Sequence, residues 1–521
     1  MSNTMKVISN QGEIYISQQE HKRYKNIELF GYGYIDWGRV INQSLVTLYD
    51  LIDSIQDGGV SEIEFNLENY EEQQKVLRKE EFTTWKNEFK NLLTLEINKY
   101  QTQVSTILEN YNDKFPKYVK LLQQVFKKIM KTYLQVFSGG FKNQIINLEE
   151  LMEKIKFVAE KVDVNGVIIG WALNKEFYAK LKKSLKKYNI ELHFWLPVFS
   201  ELDYFREFQD VINYRNENIK STGFQEDENF NFYCPNDKNN IENIKSIFLE
   251  HLADYDIDGV FLDKIRYPSF SNNPESVFTC FCDTCKDKMK KSGINAAELQ
   301  RKIEDIFSDS NSENKNPMGI SDYKNFKFDF SDPIIDSFFR FKEESINDTL
   351  EELTAFFRSK NLKIGLDLFA PHIAYFTGQN IIKLSSMADF IKPMYYRATY
   401  APAGIPFEIE SYSKSFPNKD SENIKKEFFR FINESEEEIS DKYMENELCQ
   451  LKKEFDIKNI CSGLEFNKIK DIALSDTDYL ERSINSFYNS GTDGIVLSWD
   501  LMRMPLEHLD IYIKLWNENK L

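Results

Sequence analysis

The 521-residue chain is poor in histidine and has no long apolar run. Five histidines and no H-x-H pair occur, which excludes a metal-dependent hydrolase barrel that needs several histidines near its strand ends. The strongest apolar runs, such as 166–173, are far too short to cross a bilayer. The first 17 residues have neither the basic nor the apolar region of a signal peptide. We therefore expect a soluble, cytoplasmic protein.

Motifs for nucleotide binding and for a nucleophilic serine are also missing. The chain has no G-x-x-x-x-G-K-[ST] and no G-x-S-x-G, and Gly31-Tyr-Gly33 begins like a dinucleotide loop but lacks the third glycine. The formal net charge is −17, from 66 basic and 83 acidic residues. Because an acidic chain repels a polyanion, nucleic acid is excluded as a partner, whereas neutral and cationic substrates remain open.

Six cysteines are too few for a disulfide scaffold, but three of them lie within six residues. Cys280, Cys282 and Cys285 contain the C-x-x-C spacing that forms half of a zinc knuckle, and Cys234 is the natural candidate for a fourth ligand. The alternatives are a structural zinc ion and reduced, metal-free thiols. No cofactor is expected for catalysis.

Apolar, strand-like segments alternate with helical stretches along the chain. Parallel pairing with right-handed crossovers is typical of this alternation, and eight such units predict a (β/α)8 TIM barrel. Helices are predicted near 175–187, 241–253, 333–360 and 508–516. The predicted strands are 27–35, 166–173, 191–198, 259–263, 363–369, 390–396, 460–466 and 494–500.

Two insertions enlarge the predicted barrel, which occupies 1–58 and 164–521. In the first, 59–163, apolar residues at helical spacing on both sides of Pro116 and as far as Phe137 predict a helical hairpin. Packing against the barrel is its expected role, and self-association or partner binding is the alternative. The second, 269–332, contains the cysteines, a helix at 296–307 and a polar stretch predicted to be a mobile surface loop.

Three strands each turn one carboxylate into the barrel. Outward-facing apolar residues alternate with Asp263, Asp367 and Glu465, and the active site of a TIM barrel lies at the carboxyl ends of its strands. Glycoside hydrolysis uses one ionised and one protonated carboxyl group. The alternative for each acid is a structural ion pair. The candidate partners are Lys264, Arg266 and Lys392.

Tryptophans, tyrosines and polar residues also fall at or near strand ends. Aromatic faces stack on the C–H faces of sugar rings and carboxylates accept from hydroxyls, so this rim predicts a carbohydrate cleft; the alternative is that the rings pack inside the barrel. The expected substrate-binding residues are Asp36, Trp37, Trp171, Trp195, Glu201, Arg266, Tyr396, Arg397, Trp499 and Asp500.

Residues 258–268 read DGVFLDKIRYP. This segment resembles the DGI-x-LD-Y-IRYP signature of a family of glycosyl-hydrolase-like (β/α)8 barrels that is often called family-10-like. The segments FTCFCDTC, GLDLFAP, DFIKPMYYRATYAPAGIP and LSWD fit the same type of protein. The resemblance covers about 25–58 and 164–516. Lys264 stands where the family commonly has an aromatic residue, which implies an altered first subsite.

The resemblance implies a glycoside hydrolase that cleaves a poly- or oligosaccharide. It makes Asp263 the leading catalytic carboxylate, with the acid/base on a later strand. Glu465 ranks ahead of Asp367 because glutamate has the longer reach and the higher unperturbed pKa. The alternative function is a catalytically inactive barrel that binds glycan or protein through the helical insertion.

Overall fold

The structure, a computed structural model, describes residues 5–9, 12–16, 60–65 and 130–520, apart from 220–229, 274, 310 and 435–437. The chain divides into two compact units, 1–129 with 520–521 and 130–519. In the first unit, strands β1 (Met5–Ser9), β2 (Gly12–Ile16) and β3 (Val60–Phe65) pair antiparallel in the order β2-β1-β3. No helix of the described ranges is long and apolar enough to cross a membrane.

The second unit is a closed barrel of eight parallel strands surrounded by helices, which confirms the (β/α)8 prediction. The strands follow one another around the barrel in chain order, so each helical connection is a crossover between neighbours. They are β4 (Lys131–Gly139), β5 (Val164–Trp171), β6 (Glu191–Pro197), β7 (Gly259–Asp263), β10 (Lys363–Phe369), β11 (Phe390–Met394), β12 (Cys461–Glu465) and β15 (Gly494–Ser498). Two short strands between β12 and β15, β13 (Lys468–Ile469) and β14 (Ala473–Leu474), pair antiparallel.

Most of the helices begin behind an Asn, Asp or Ser whose side chain accepts from a backbone N–H of the first turn, as Asn147 does for the first of them. Their apolar faces pack on the outside of the barrel. The helices are α1 (Leu148–Ala159), α2 (Lys175–Leu185), α3 (Lys238–His251), α4 (Asp283–Lys291), α5 (Ala296–Ser308), α6 (Pro333–Arg358), α7 (Pro371–Ala374), α8 (Ile381–Ser385), α9 (Ile405–Ser413), α10 (Ser421–Phe431), α11 (Asp441–Lys453), α12 (Thr477–Ser490) and α13 (Leu506–Lys520).

The first strand of the barrel is β4, so the prediction that residues 27–35 form this strand is wrong. β4 pairs with β15 on one side and β5 on the other, which closes the barrel. Tyr133 and Phe137 continue the helical spacing of the preceding residues, but they also alternate as a strand requires, and only barrel closure decides between the two. Residues 131–163 therefore belong to the barrel and not to a helical insertion. Residues 27–35 and 66–129 lie outside the described ranges.

The predicted alternation of inward and outward residues is confirmed. Val260, Leu262 and Leu464 join the cluster between strands and helices, whereas Phe261 and Cys461 belong to a separate cluster inside the barrel. This interior cluster comprises Tyr133, Ile168, Trp171, Trp195, Phe261, Phe390, Cys461 and Val496. The carboxylates that continue the inward phase of these strands therefore lie above it, at the carboxyl end.

The segment after β7, predicted as an insertion at 269–332, contains α4, α5 and the hairpin of β8 (Ile320–Lys324) and β9 (Lys327–Phe330). The polar stretch that starts at Ser308 contacts the segment before α10. Lys419 Nζ donates to the carbonyl oxygens of Asp309 at 3.1 Å and Asn311 at 3.0 Å. These bonds tie the predicted mobile loop to the surface of the barrel unit.

Candidate active site

The Asp263 carboxylate ends β7 and is held by two N–H donors. Trp195 Nε1 donates to Oδ2 at 2.8 Å, and the Lys264 backbone nitrogen donates to Oδ1 at 2.5 Å. The side chain is partly exposed, unlike most of its surroundings. Because both partners donate, they match the ionised carboxylate, which only accepts hydrogen bonds.

The Glu465 side chain ends β12 and is fully buried. Its Oε1 accepts from the Ala398 backbone nitrogen at 2.5 Å, and the Tyr479 hydroxyl lies beside the same carboxyl group. Burial raises the pKa of this carboxyl from 4.5 to about 7, although the neighbouring Arg397 charge acts in the opposite direction. Near neutral pH, Glu465 can therefore hold and release a proton.

Asp367 forms a buried ion pair inside the barrel. Lys392 Nζ donates to its Oδ2 at 3.0 Å and to Gln135 Oε1 at 2.9 Å. Burial, reinforced by the charge of Asp263, raises the pKa of Asp367 from 3.8 to about 7 even though Lys392 opposes the shift. The contact with Lys392 is the ion-pair alternative that the sequence left open for this acid.

The charges of the three predicted carboxyl groups all act on Tyr396. Burial raises the pKa of this phenol, and the charges of Asp367, Glu465 and Asp263 raise it further. Its ring centroid lies 5.8 Å from that of Trp499, which is partly exposed. Three strands thus place an acid within electrostatic range of Tyr396, and the Trp499 ring lies beside this tyrosine.

Two other tryptophans of the rim, Trp171 and Trp195, pack into the barrel. Trp171 and Trp195 are 1% and 6% exposed, and their ring centroids lie 5.8 Å apart. Phe137 contacts Trp171 edge-on at 5.3 Å. Both rings are therefore mostly packed inside the barrel, as the packing alternative predicted. Trp195 Nε1 nevertheless donates to the carboxylate of Asp263.

In addition to Lys392, two buried cations, Lys264 and Arg266, lie near the acids. Lys264 Nζ pairs with Glu201 and lies 4.9 Å from the centre of the Trp171 ring. Lys264 and Glu201 both have a positive φ, +51° and +69°, which is uncommon for residues other than glycine. At the position where the resembled family commonly has an aromatic residue, this chain has Lys264, whose ammonium group lies against the Trp171 ring.

Arg266 lies between two aromatic rings. Its guanidinium carbon is 4.5 Å from the ring centre of Phe232 and 4.7 Å from that of Phe369, and Nη1 donates to the Tyr267 carbonyl at 3.0 Å. Burial lowers the pKa of Arg266 to about 10, an effect that Glu408, Asp263 and Asp367 oppose. The Arg266 guanidinium therefore places a positive charge near Asp263 and Asp367.

No protein-family model and no curated protein matches this sequence. Solved glycoside hydrolases are similar to it in fold. The PgaB (BpsB) glycoside hydrolase domain of Bordetella bronchiseptica has a TM-score of 0.46 at 13% identity, over 74% of this chain and 97% of that one. The beta-galactosidase of Marinomonas ef1 has a TM-score of 0.43 at 10% identity, over 75% and 59%. The beta-N-acetylhexosaminidase of Bacteroides fragilis has 0.38 at 8%, over 76% and 66%.

Four predicted substrate-binding residues are not shown to face a substrate. The Nη atoms of Arg397 donate to Ile439, Asp441 and Ser483, so this arginine anchors α11 and α12, and its charge lies near Glu465. Asp500 is buried and accepts from the Met502 backbone nitrogen as a cap, because the turn after β15 needs one. The remaining two, Asp36 and Trp37, lie outside the described ranges.

Sequence reasoning missed Gln135, Phe137 and Asn467. The first two lie on β4, whose strand alternation was masked by helical spacing. Asn467 Oδ1 accepts from the backbone nitrogens of Trp499 at 2.7 Å and Asp500 at 3.1 Å, and so orients the end of β15. The signal for Asn467 was a polar residue just after a predicted strand.

Replacing Lys392 with methionine is expected to destabilise the protein by about 3 kcal/mol at high pH, because Asp367 then lies buried and unpaired. Folding favours the protonated form of Asp367, so its contribution to stability is full below pH 3.8 and is lost as the pH rises through about 7. The loss in the variant should therefore be small at pH 5 and grow above pH 7. Urea unfolding at both pH values measures it, and Lys392→Met combined with Asp367→Asn should remove the additional pH dependence.

Proposed function

We propose that this protein is a glycoside hydrolase in which Asp263 acts as the ionised carboxylate and Glu465 as the proton donor. The contrast between the two carboxyl groups carries the proposal. Asp263 is partly exposed and accepts from two N–H groups, whereas burial raises the pKa of Glu465 to about 7. Paired carboxyl groups in opposite environments at a barrel mouth suit acid-assisted cleavage of a glycosidic bond.

In this mechanism Glu465 gives its proton to the glycosidic oxygen as the bond to the anomeric carbon breaks. The negative charge of Asp263 stabilises the positive charge that develops on the sugar ring. Asp263 then either bonds to the anomeric carbon and is displaced by water that gives a proton back to Glu465, or takes a proton from the water that attacks the anomeric carbon. Asp367 and Lys392 act as positioning residues beneath the pair. Proton NMR of the first product distinguishes retention from inversion of configuration.

Buried polar atoms without partners support a polyhydroxylated substrate. Within the described ranges, Trp171 Nε1 and Asp367 Oδ1 are buried and form no hydrogen bond. Leaving such an atom unsatisfied costs about 1–3 kcal/mol, and sugar hydroxyls can both donate and accept. The partly exposed Trp499 beside Tyr396 offers an aromatic face to the C–H groups of a sugar ring.

The direct test incubates the purified full chain with a panel of neutral and amino-sugar polysaccharides, their oligosaccharides and aryl glycosides. We expect new reducing ends or released phenol with at least one of them, and no release from Asp263→Asn. Binding of a glycan without any cleavage would overturn the proposal in favour of an inactive binding barrel. The predicted role of the helical insertion in such binding falls on 66–129, outside the described ranges.

Trp195→Phe is expected to lower kcat/KM about tenfold on whichever substrate is cleaved. The substitution removes the hydrogen bond from Trp195 Nε1 to the Asp263 carboxylate but keeps the aromatic packing. The Asp263 carboxylate would then lose one of the two N–H donors that fix its orientation. Trp516→Phe, on α13, is the matched control and should leave kcat/KM unchanged. An equal effect of both substitutions would contradict the positioning role of Trp195.

A further inference from the structure

Four cysteines that are distant in sequence meet at one point of the barrel unit. The Sγ atoms of Cys234, Cys280, Cys282 and Cys285 all lie within 4.8 Å of one another, and all four side chains are buried. Cys234 Sγ lies 3.4 Å from that of Cys285 and 3.6 Å from that of Cys282. None of the four forms a disulfide.

These separations match a tetrahedral tetrathiolate site. Zinc–sulfur bonds of about 2.3 Å at tetrahedral angles place neighbouring sulfurs about 3.8 Å apart. A disulfide would need about 2.05 Å, and a pair of disulfides would separate the four atoms into two couples. The observed group is a single compact cluster, so a central ion is the arrangement that uses all four sulfurs.

The surroundings supply N–H donors for negatively charged sulfurs. Asn236 Nδ2 donates to Cys285 Sγ at 3.3 Å, and the backbone nitrogen of Ile212 donates to Cys280 Sγ at 3.4 Å. Lys288 Nζ donates to the carbonyl of the same Asn236 side chain at 2.7 Å, which brings a positive charge near the cluster. Cys282 is the N-cap of α4, whose N-terminal dipole also favours thiolate.

We propose that Cys234, Cys280, Cys282 and Cys285 bind one zinc ion, and that this ion joins two loops at the mouth of the barrel. The four thiols release four protons when they become ligands of Zn²⁺, which leaves a site of charge −2 among the N–H donors. All four coordination positions are taken by sulfur, so the ion holds the fold together and takes no part in the reaction.

One of the two loops carries Lys264 and Arg266, the cations of the candidate active site, and the other carries their partners Glu201 and Phe232. Cys234 belongs to the connection between β6 and α3, and the other three cysteines follow β7. Near the cluster, Asn236 Nδ2 also contacts the Tyr267 hydroxyl at 3.3 Å, and the neighbouring Arg266 stacks on Phe232 of the first loop. A metal between the loops would therefore hold Arg266 in place.

Metal analysis of the purified full chain tests the site directly. We expect about one zinc ion per chain, and an absorption band typical of four thiolate ligands when Co²⁺ replaces it. Cys282→Ser should lose most of the zinc, whereas Cys449→Ser, outside the cluster, should retain it. Wild-type protein without zinc, or with iron in its place, would overturn the assignment; this measurement stays valid even if the cysteine variants fail to fold.

Hydrogen exchange tests the link to the barrel mouth without requiring any activity. Removing the metal from the wild-type chain with a chelator is expected to increase amide exchange around 264–282 and 230–237, while the barrel strands keep their protection. Unchanged exchange in both loops after complete zinc removal would overturn the clamping role. Because neither readout involves a glycan, failure of the proposed glycosidase activity would leave both results interpretable.

Discussion

Asp263→Asn is expected to lower kcat/KM at least about 10³-fold on a cleaved glycan. The amide keeps the shape of the side chain, and its carbonyl can still accept one of the two hydrogen bonds. It lacks the negative charge that stabilises the developing positive charge on the sugar. The rate loss should therefore appear mainly in kcat, measured by initial rates of reducing-end release.

Asp254→Asn is the matched control for this substitution. Asp254 is exposed and pairs with Lys175 on the outside of the barrel, so the same chemical change there should leave kcat unchanged. Thermal unfolding of both variants should match that of the wild type within about 1 kcal/mol. Full activity of Asp263→Asn on the natural substrate would rule out the proposed mechanism.

Glu465→Gln should lower kcat about 10²- to 10⁴-fold when the leaving group is a sugar. A sugar alcohol is a poor leaving group and needs the proton, whereas a dinitrophenolate leaves without one. The loss should therefore be much smaller on a dinitrophenyl glycoside. Equal losses on both kinds of substrate would contradict the assignment of Glu465 as the proton donor.

The pH profile gives a second test of Glu465. Because the pKa of this carboxyl is raised to about 7, wild-type activity on a glycan should fall as the pH rises above 7 and the acid loses its proton. This descending limb should be absent in Glu465→Gln with the dinitrophenyl substrate. Asp367 has a pKa raised to a similar value, so Asp367→Asn is the necessary control and should retain the limb.

The raised pKa of Glu465 also makes the stability of the protein depend on pH. Folding favours the protonated form of Glu465, so its contribution is full below pH 4.5 and is lost as the pH rises through about 7. Glu465→Gln should flatten this part of the stability profile of the wild type. Urea unfolding at pH 5 and pH 8 compares the two proteins directly.

Local pattern predicted seven of the eight barrel strands, with both ends of Gly259–Asp263 and Lys363–Phe369 as the structure has them. These segments are short, apolar and bounded by turn residues, so both their length and their residue pattern indicate strands. β4 failed because its residues satisfy a helical and a strand period at once. Its identity depends on hydrogen bonds to β15 and β5, strands that lie far from it or follow it in sequence.

By itself the sequence determined which side of each strand carries a carboxylate and that three cysteines lie at metal-ligand spacing, because both follow from positions a few residues apart. Only the tertiary structure decided the role of each polar group. Lys392 became the partner of Asp367, and Arg397 that of Asp441. Cys234 joined three cysteines more than 45 residues away. The reason is physical: burial and the charges of neighbours set what a carboxyl or thiol can do, and the closing of the barrel decides which groups become neighbours.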